Sequence, residues 1–438
     1  MPTQTAPASW YRSQEHPDVW EGKGKVVAVG VGHSPAARRW DGSPENSVGG
    51  WSILALRRAM EDAGVRPDQV DGLVLSESTT TGAYWPEGKP APEDVVKAYK
   101  PTSDPLDGIA KLTADWILKN TPELKNVTFT MHAPGCMSNC VVVAAEAVAR
   151  GLTHTCLVLK GWHNFEGRYY QGGGNAKPTV SGPAKWNLWG GPISMPTAMQ
   201  FESYLRKYGK THDMMYPFMA NSRKNGLNFP EGYWAQNRPE TLALEDYLNA
   251  RWVAKPANLY DNDIAIQSCA AYLFTTPERA KNMKQKPVYI LNHASDRSRA
   301  RGITPTLDEV EDATFRTGQK IYEGAGITAS DLSFENMYDG FSLFHVFHLE
   351  GLRYAGVKPG EALDFFQTDI SNDSWHPVSP SGGNIGGGRT RFWMHTDSIQ
   401  QLQGRAGKRQ IKRPVEIGVS GGPMPTGGNY TVWGVSPD

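Results

Sequence analysis

The residues best suited to chemistry cluster at Tyr338-Asp339-Gly340, where a short strand pattern gives way to an apolar run over 341–352 with helical spacing. Phe341, Phe344, Phe347 and Leu349 alternate there with His345, His348 and Glu350. A strand-to-helix turn holds its central side chains above a sheet edge, beside a helix N-terminus where developing negative charge is stabilised. A phenol and a carboxyl at such a turn suit general acid/base chemistry. The same pair also suits a packed turn tyrosine followed by an N-capping aspartate. A free phenol has a pKa of about 10 and needs a nearby cation or helix dipole to accept a proton near neutrality.

Other reactive side chains lie within reach of the same fold. Cys136, in Ala133-Pro134-Gly135-Cys136, precedes a small-residue segment, Ala144, Ala145, Ala147 and Ala149, that reads as a buried helix ended by Gly151. A helix N-terminus lowers a thiol pKa, so Cys136 is a candidate nucleophile; a packed or capping cysteine fits equally. His132 ends the preceding strand and is a candidate to line a site there. His395 follows a glycine-rich loop and is a candidate to approach Tyr338. His293 follows a strand and reads as structural, and Cys140, Cys156 and Cys269 read as core. His345 and His348 are three apart on a helix, yet no third ligand accompanies them, so no metal site is expected.

The elements that must hold these residues follow from pattern. Strands are expected over 25–31, 70–76, 127–132, 155–160, 286–293, 415–419 and 430–433, and helices over 47–64, 106–120, 309–326 and 396–407. Gly64 reads as a helix C-cap. Strands alternating with helices argue an α/β layered fold. The stretch 162–258 breaks that rhythm; it is rich in Gly, Pro and aromatics and reads as a long excursion over one face, a binding wall or an oligomer interface. Three regions result: 24–161, 162–258 and 259–438.

The two flanking regions repeat one unit. Ala59 to Val70 lies in register with Ile321 to Leu332: a helix ending in Ala-Gly, a branched apolar residue, a short polar linker and a strand. A repeat so widely separated is no solenoid period. It implies two copies of one α/β unit with a seam where clefts form.

Composition excludes several classes. Lys and Arg total 45 and Asp and Glu 45, so bulk charge argues against nucleic acid or a polybasic membrane role. The 4 Cys are scattered and form no C-x-x-C pair, against a disulfide framework or structural zinc. No apolar run approaches spanning length and the first residues lack a signal-peptide pattern, so a soluble cytoplasmic protein is expected. The 14 Trp point to an apolar interaction surface.

A duplicated α/β chain with a helix opening after Pro134-Gly135-Cys136 and with Tyr338-Asp339-Gly340-Phe341 in its second half resembles the thiolase superfamily. Within it the likeness is to the sterol-carrier-protein type thiolases and the side-chain-cleaving aldolases called lipid-transfer proteins. AMEDAGVRPDQVDGLV, ANSRKNGLNFPEG, ARWVAKPANLYDND, GAGITASDLSFENMYDGFS, PSGGNIGGGRT and SIQQLQGRAGKRQI carry it across most of the chain.

The resemblance implies a thiolase fold of two duplicated βαβ-type halves in α-β-α-β-α layers, with a coenzyme A thioester as substrate and no permanently bound cofactor. Departures from the thiolase pattern decide the chemistry. Counted back from Gly151 the nucleophile position falls on Pro134, and Cys136 fits with a two-residue shift. The Asn/His position carries Tyr338, and the His of the glycine-rich loop appears as Arg389. The C-terminal loop over 420–425 has neither Cys nor His. Thiolysis needs a thiolate and an acid/base for the leaving thiol. The resemblance therefore implies a retro-aldol cleavage of a bulky, apolar 3-hydroxyacyl-CoA with Tyr338 as acid/base. Arg389 is the cation beside the phenol or the donor to the thioester oxygen. Gly387 and Gly388 would let backbone approach the ligand closely, and Arg223 and Lys224 would face the CoA phosphates. Asp339 would cap the following helix. A Claisen acyltransferase using Cys136 and a non-catalytic acyl-CoA or lipid-binding subunit are the alternatives. The family also implies a homodimer through 155–160 and a small OB-fold, zinc-ribbon partner.

Overall fold

A computed structural model describes residues 5–38, 41, 43–76, 112–133, 138–162, 195–296, 305–390, 392–422 and 428–438. Cys136 and residues 163–194 of the excursion lie outside the described residues, as do 106–111 and 423–425.

The first half runs β1 (Val27–His33), α1 (Val48–Ala63), β2 (Gly72–Ser76), α2 (Ala114–Asn120), β3 (Phe129–Ala133), α3 (Ser138–Ala149) and β4 (Thr155–Trp162). The excursion holds α4 (Met195–Tyr208), α5 (Tyr216–Leu227) and a small hairpin of β5 (Trp252–Ala254) and β6 (Ala257–Asn258). After β7 (Ser268–Thr275), the second half runs β8 (Val288–Ser295), α6 (Leu307–Ala325), β9 (Phe334–Met337), α7 (Ser342–Leu352), α8 (Gly383–Gly387), α9 (Trp393–Leu402), β10 (Ile417–Gly421) and β11 (Asn429–Gly434).

The repeat is real and its caps are the residues that define it. Ser47 accepts the Gly50 N–H at the start of α1, and Thr306 with Glu309 forms a capping box at the start of α6. Both helices end on a glycine in the left-handed region, Gly64 at φ 69° and Gly326 at φ 67°, where a side chain would be strained. A 3-10 turn follows each, then β2 or β9.

Among the described residues nine strands form one sheet in the order β3-β2-β4-β7-β1-β8-β11-β10-β9. Within the sheet the halves join where β1 pairs with β8, Val27 with Tyr289 and Ala28 with Val288. Either side of that junction the order is the same, β2-β4-β7-β1 against β9-β10-β11-β8. α3 packs on β4 and β2 and also on β11, while α9 packs on β10 and β9 and also on β1, so both lie between the half-sheets. α1 covers the outer face of the first half-sheet and α6 with α7 that of the second. This is the layered arrangement expected of two duplicated halves.

Two expectations need correction. β7 was not foreseen, although it pairs along its length with β4 and β1. It is buried at every position, so SCAAYLFT carries no alternation to read. It lies within 259–438 yet completes the first half-sheet; the second begins at β8. The strand over 155–160 cannot offer an edge for dimer pairing, because β4 is hydrogen-bonded to β2 on one side and β7 on the other. The sheet's outer strands are β3 and β9.

The glycine-rich loop also serves a purpose other than the one expected. An added Cβ on Gly386 would fall 2.0 Å from the Ser222 carbonyl oxygen, and one on Gly226 would fall 2.1 Å from the Gly386 oxygen. A Cβ on Gly382 would lie 2.3 Å from the Gly226 nitrogen. These glycines let α8 press on the backbone of α5. Gly226→Ala is expected to cost about 1–3 kcal/mol through overpacking, read as a lowered urea midpoint with unchanged slope; an unchanged midpoint would disprove the tight contact.

Candidate active site

Tyr338 leaves the end of β9 as expected. Its backbone N–H donates to the Gly421 carbonyl, 3.1 Å away on β10. The ring is 3% exposed and packs with Phe344, Met394 and the partly buried Phe341. The phenol lies over Gly340, where an added Cβ would sit 2.0 Å from the hydroxyl oxygen. A glycine two residues after this tyrosine leaves the phenol the place it occupies.

Asp339 does not cap the following helix. Its carboxylate accepts the N–H groups of Asn384 at 2.6 Å and Ile385 at 3.3 Å, so it holds α8 against the turn. Burial pushes its carboxyl up to about 7, helped by the nearby charge of Asp263 and opposed by His345 and the two N–H donors. The N-cap of α7 is Phe341, with no side-chain cap. Asp261 replaces it from outside: the Ser342 N–H donates to the Asp261 carbonyl at 3.0 Å and the Ser342 hydroxyl to its carboxylate at 2.7 Å.

The strap over 258–266 joins the Tyr338 turn to Arg389. The Asp263 N–H donates to the Gly340 carbonyl at 3.1 Å, Asn262 bridges to Phe341, and the Arg389 N–H donates to the Ile264 carbonyl at 2.8 Å. Arg389 is 4% exposed and its Nε lies 4.0 Å from an Asp263 carboxylate oxygen. Tyr338, Asp339, Asp263 and Arg389 thus converge on one strap. Asp263 was not singled out in the sequence; buried acids in an Asn- and Tyr-containing run carry no local mark.

His395 lies on α9, on the other side of the β10 terminus. Its Nδ1 is 2.8 Å from the Ser420 hydroxyl and its Nε2 is 3.1 Å from Ser138, the first residue of α3. Burial lowers its pKa to about 3, so the ring is neutral at ordinary pH. Ser420 and Gly421 are adjacent, so β10 places His395 and the Tyr338 backbone side by side. His395 pins the start of the helix that follows Cys136.

The remaining candidates fall elsewhere. His132 Nε2 accepts the Ala114 N–H at 3.1 Å and so serves the start of α2. Arg223 is 5% exposed, lies 3.7 Å over the Trp234 ring and donates to the Glu240 carbonyl. Burial lowers its pKa to about 10. It is a packed cation, not a surface one, whereas Lys224 is exposed. Gly387 and Gly388 pack on Trp393 and on Ile266 with Tyr233, protein atoms rather than an open cradle. His293 bonds Glu146 and His345 bonds Glu335, both buried, while His348 bonds Tyr430. The last two histidines therefore turn to different partners. Among the described residues no three His, Cys, Asp or Glu side chains converge to hold a metal ion, and no helix is long and apolar enough to cross a membrane.

Two duplicated halves, a sandwiched helix pair and a strand-to-helix turn after the outer strand β9 define a thiolase-fold enzyme. Residues 296–429 match the family described as thiolase C-terminal domain-like. The chain is 25% identical over 400 residues to 17-hydroxy-3-oxo-4-pregnene-20-carboxyl-CoA lyase of Mycobacterium tuberculosis, covering 87% of this chain and 92% of that one. It is 24% identical over 384 residues to a steroid side-chain-cleaving aldolase of Thermomonospora curvata, covering 83% and 86%. A solved structure named Ltp2-ChsH2(DUF35) aldolase has the same fold, with a TM-score of 0.75 and 20% identity over 95% of this chain and 99% of that one.

Proposed function

We propose that this protein is a thiolase-fold aldolase that cleaves a carbon–carbon bond of a bulky, apolar 3-hydroxyacyl-CoA, with a steroid side chain as the favoured class. The observation that carries the reading is a phenol on the braced turn after β9 of a chain similar, over 87% of its length, to a protein named as a CoA lyase. Tyr338 takes the proton of the β-hydroxyl as the Cα–Cβ bond breaks. The bonding pair passes to the thioester as an enolate, the β-carbon leaves as a ketone or aldehyde, and protonation of the enolate carbon gives the shorter acyl-CoA. Arg389 is assigned to the thioester oxygen, where a buried cation stabilises developing charge. Lys224, the exposed member of its pair, is the one able to meet a CoA phosphate. A DUF35-type partner and a homodimer are carried over as part of this reading.

The test is mass spectrometry of products from a panel of 3-hydroxyacyl-CoAs, with the chain alone and with a DUF35-type partner. A carbonyl compound plus a shortened thioester is expected, and Cys136→Ala should retain at least about half the activity, because the reaction needs no covalent intermediate. Acyl exchange abolished by Cys136→Ala would establish the acyltransferase instead. Acyl-CoA binding without any product would establish a binding subunit.

A further inference from the structure

Asp261 gathers donors from parts of the chain far apart in sequence. It is 1% exposed. One carboxylate oxygen accepts the Tyr247 hydroxyl at 2.9 Å and the Ser342 hydroxyl at 2.7 Å. The other accepts the Asn258 N–H at 2.7 Å and faces His212 Nε2 at 2.7 Å. The Asp261 carbonyl takes the Ser342 N–H at 3.0 Å. Four side-chain or backbone donors fill a carboxylate of about four lone-pair sites, so little of its acceptor capacity is left.

The donors divide by origin. His212, Tyr247 and Asn258 belong to the excursion, and the His212 and Tyr247 rings stack with centroids 4.9 Å apart and planes 10° apart. Ser342 is the first residue of α7, four residues after Tyr338. Asp261 therefore caps α7 from another segment, with its charge at the helix N-terminus where an anion is favoured. The next two residues clasp the turn itself: Asn262 bridges to Phe341, and the Asp263 N–H bonds the Gly340 carbonyl. The loss of any one donor leaves the others; the loss of the carboxylate removes the side-chain link between excursion and turn at once and leaves only the backbone bonds of 261–263 to hold the turn.

We propose that Asp261 is a positioning residue that locks the Tyr338 turn to the excursion, setting the phenol in register with an acyl group held against that wall. This rests on the retro-aldol reading, in which Tyr338 moves the proton. Small displacements of a reacting group cost large factors in rate while leaving ground-state binding nearly intact.

The experiment compares Asp261→Asn, Ser342→Ala and Tyr247→Phe, each alone and combined with Tyr338→Phe, in the full chain with a DUF35-type partner. Asp261→Asn is expected to lower kcat about 10- to 100-fold with KM within about threefold, and Ser342→Ala to lower it about threefold. Asp261→Asn should add no further loss once Tyr338 is Phe. Amide hydrogen exchange over 338–346 should quicken in Asp261→Asn and less so in Ser342→Ala. An unchanged kcat, a loss that multiplies with that of Tyr338→Phe, or unchanged exchange would overturn the proposal. If Asp261→Asn does not fold, Ser342→Ala and Tyr247→Phe decide by the same cycle. If the wild-type chain cleaves no member of the panel, the reaction reading falls and the exchange measurement alone decides whether Asp261 holds the turn.

Discussion

Replacing Tyr338 by Phe is expected to lower kcat for carbon–carbon cleavage by at least about 100-fold, the scale of a lost general acid/base. KM should stay within about threefold, because the phenol acts on the hydroxyl proton in the transition state and not on the body of the acyl group. Folding should survive. The ring packs against Phe344 at 6.2 Å between centroids and against Met394, contacts that a phenylalanine keeps. The anchoring bond to Gly421 is made by the backbone, which the substitution leaves alone. The melting temperature should therefore move by no more than about 0.5 °C, the scale of a few tenths of a kcal/mol in a chain this long. Steady-state kinetics with calorimetry reads both quantities. A variant retaining a third of the wild-type rate would remove Tyr338 from the chemistry and return attention to Cys136. A companion substitution, Gly340→Ala, places a methyl where the phenol oxygen lies and should displace the ring. It is expected to lose rate comparably while Tyr338 remains present, separating the position of the phenol from its presence.

How much of this was readable from residues alone depends on where each signal lives. Gly64 and Gly326 announced the repeat because a helix end needs a residue that tolerates positive φ, a local demand written in the local sequence. Tyr338-Asp339-Gly340 was legible for a similar reason: a strand pattern stops and a helical one begins. The role of Asp339 was not legible, since its donors, Asn384 and Ile385, come from 45 and 46 residues away. Arg223 illustrates the reverse error. Beside Lys224 it reads as half of a surface pair, but on α5 the two face apart, and Arg223 is sealed beneath Trp234. The glycines of 382–388 were identified as places of close approach, correctly in kind. What approaches Gly382 and Gly386 is α5, and nothing near them in the sequence distinguishes a neighbouring helix from a ligand. Asp261 and Asp263 escaped notice because a buried carboxylate is defined by its donors, and theirs are tertiary.

Acid should unfold this protein earlier than its carboxylates alone would cause, and the reason lies in its buried imidazoles. Burial lowers the pKa of His33, His348 and His395 to about 3, with the charges of Arg409 and Arg58 adding at His33 and that of His345 at His348. Each contributes stability that is present above the ordinary histidine value and is lost as pH falls toward the folded value. Asp339 and Glu350 act in the opposite sense. Burial raises both to about 7, so their contribution is greatest below the ordinary carboxyl range and is lost as pH rises through 7. Between pH 6.5 and 5 unfolding adds protons to these three histidines and to His293 and His376, whose pKa burial also lowers, while the folded chain keeps two carboxyl protons that the unfolded chain lacks. The imidazoles outnumber the opposing carboxyls, so unfolding takes up protons and stability should fall as the pH drops across that window. Urea titrations at several pH values measure the slope. Glu350→Gln removes one opposing proton and should steepen the slope by about 1 kcal/mol per pH unit, whereas His395→Gln should flatten it by a similar amount. These are changes of slope, so they survive any constant loss of stability from the substitution itself. A stability that stays level or rises between pH 6.5 and 5 would mean that these imidazoles accept protons in the folded state. His395 connects the two halves of the site through Ser138 and Ser420. Its protonation on opening would charge the ring that pins the start of α3, so loss of activity in acid should coincide with loss of structure rather than precede it.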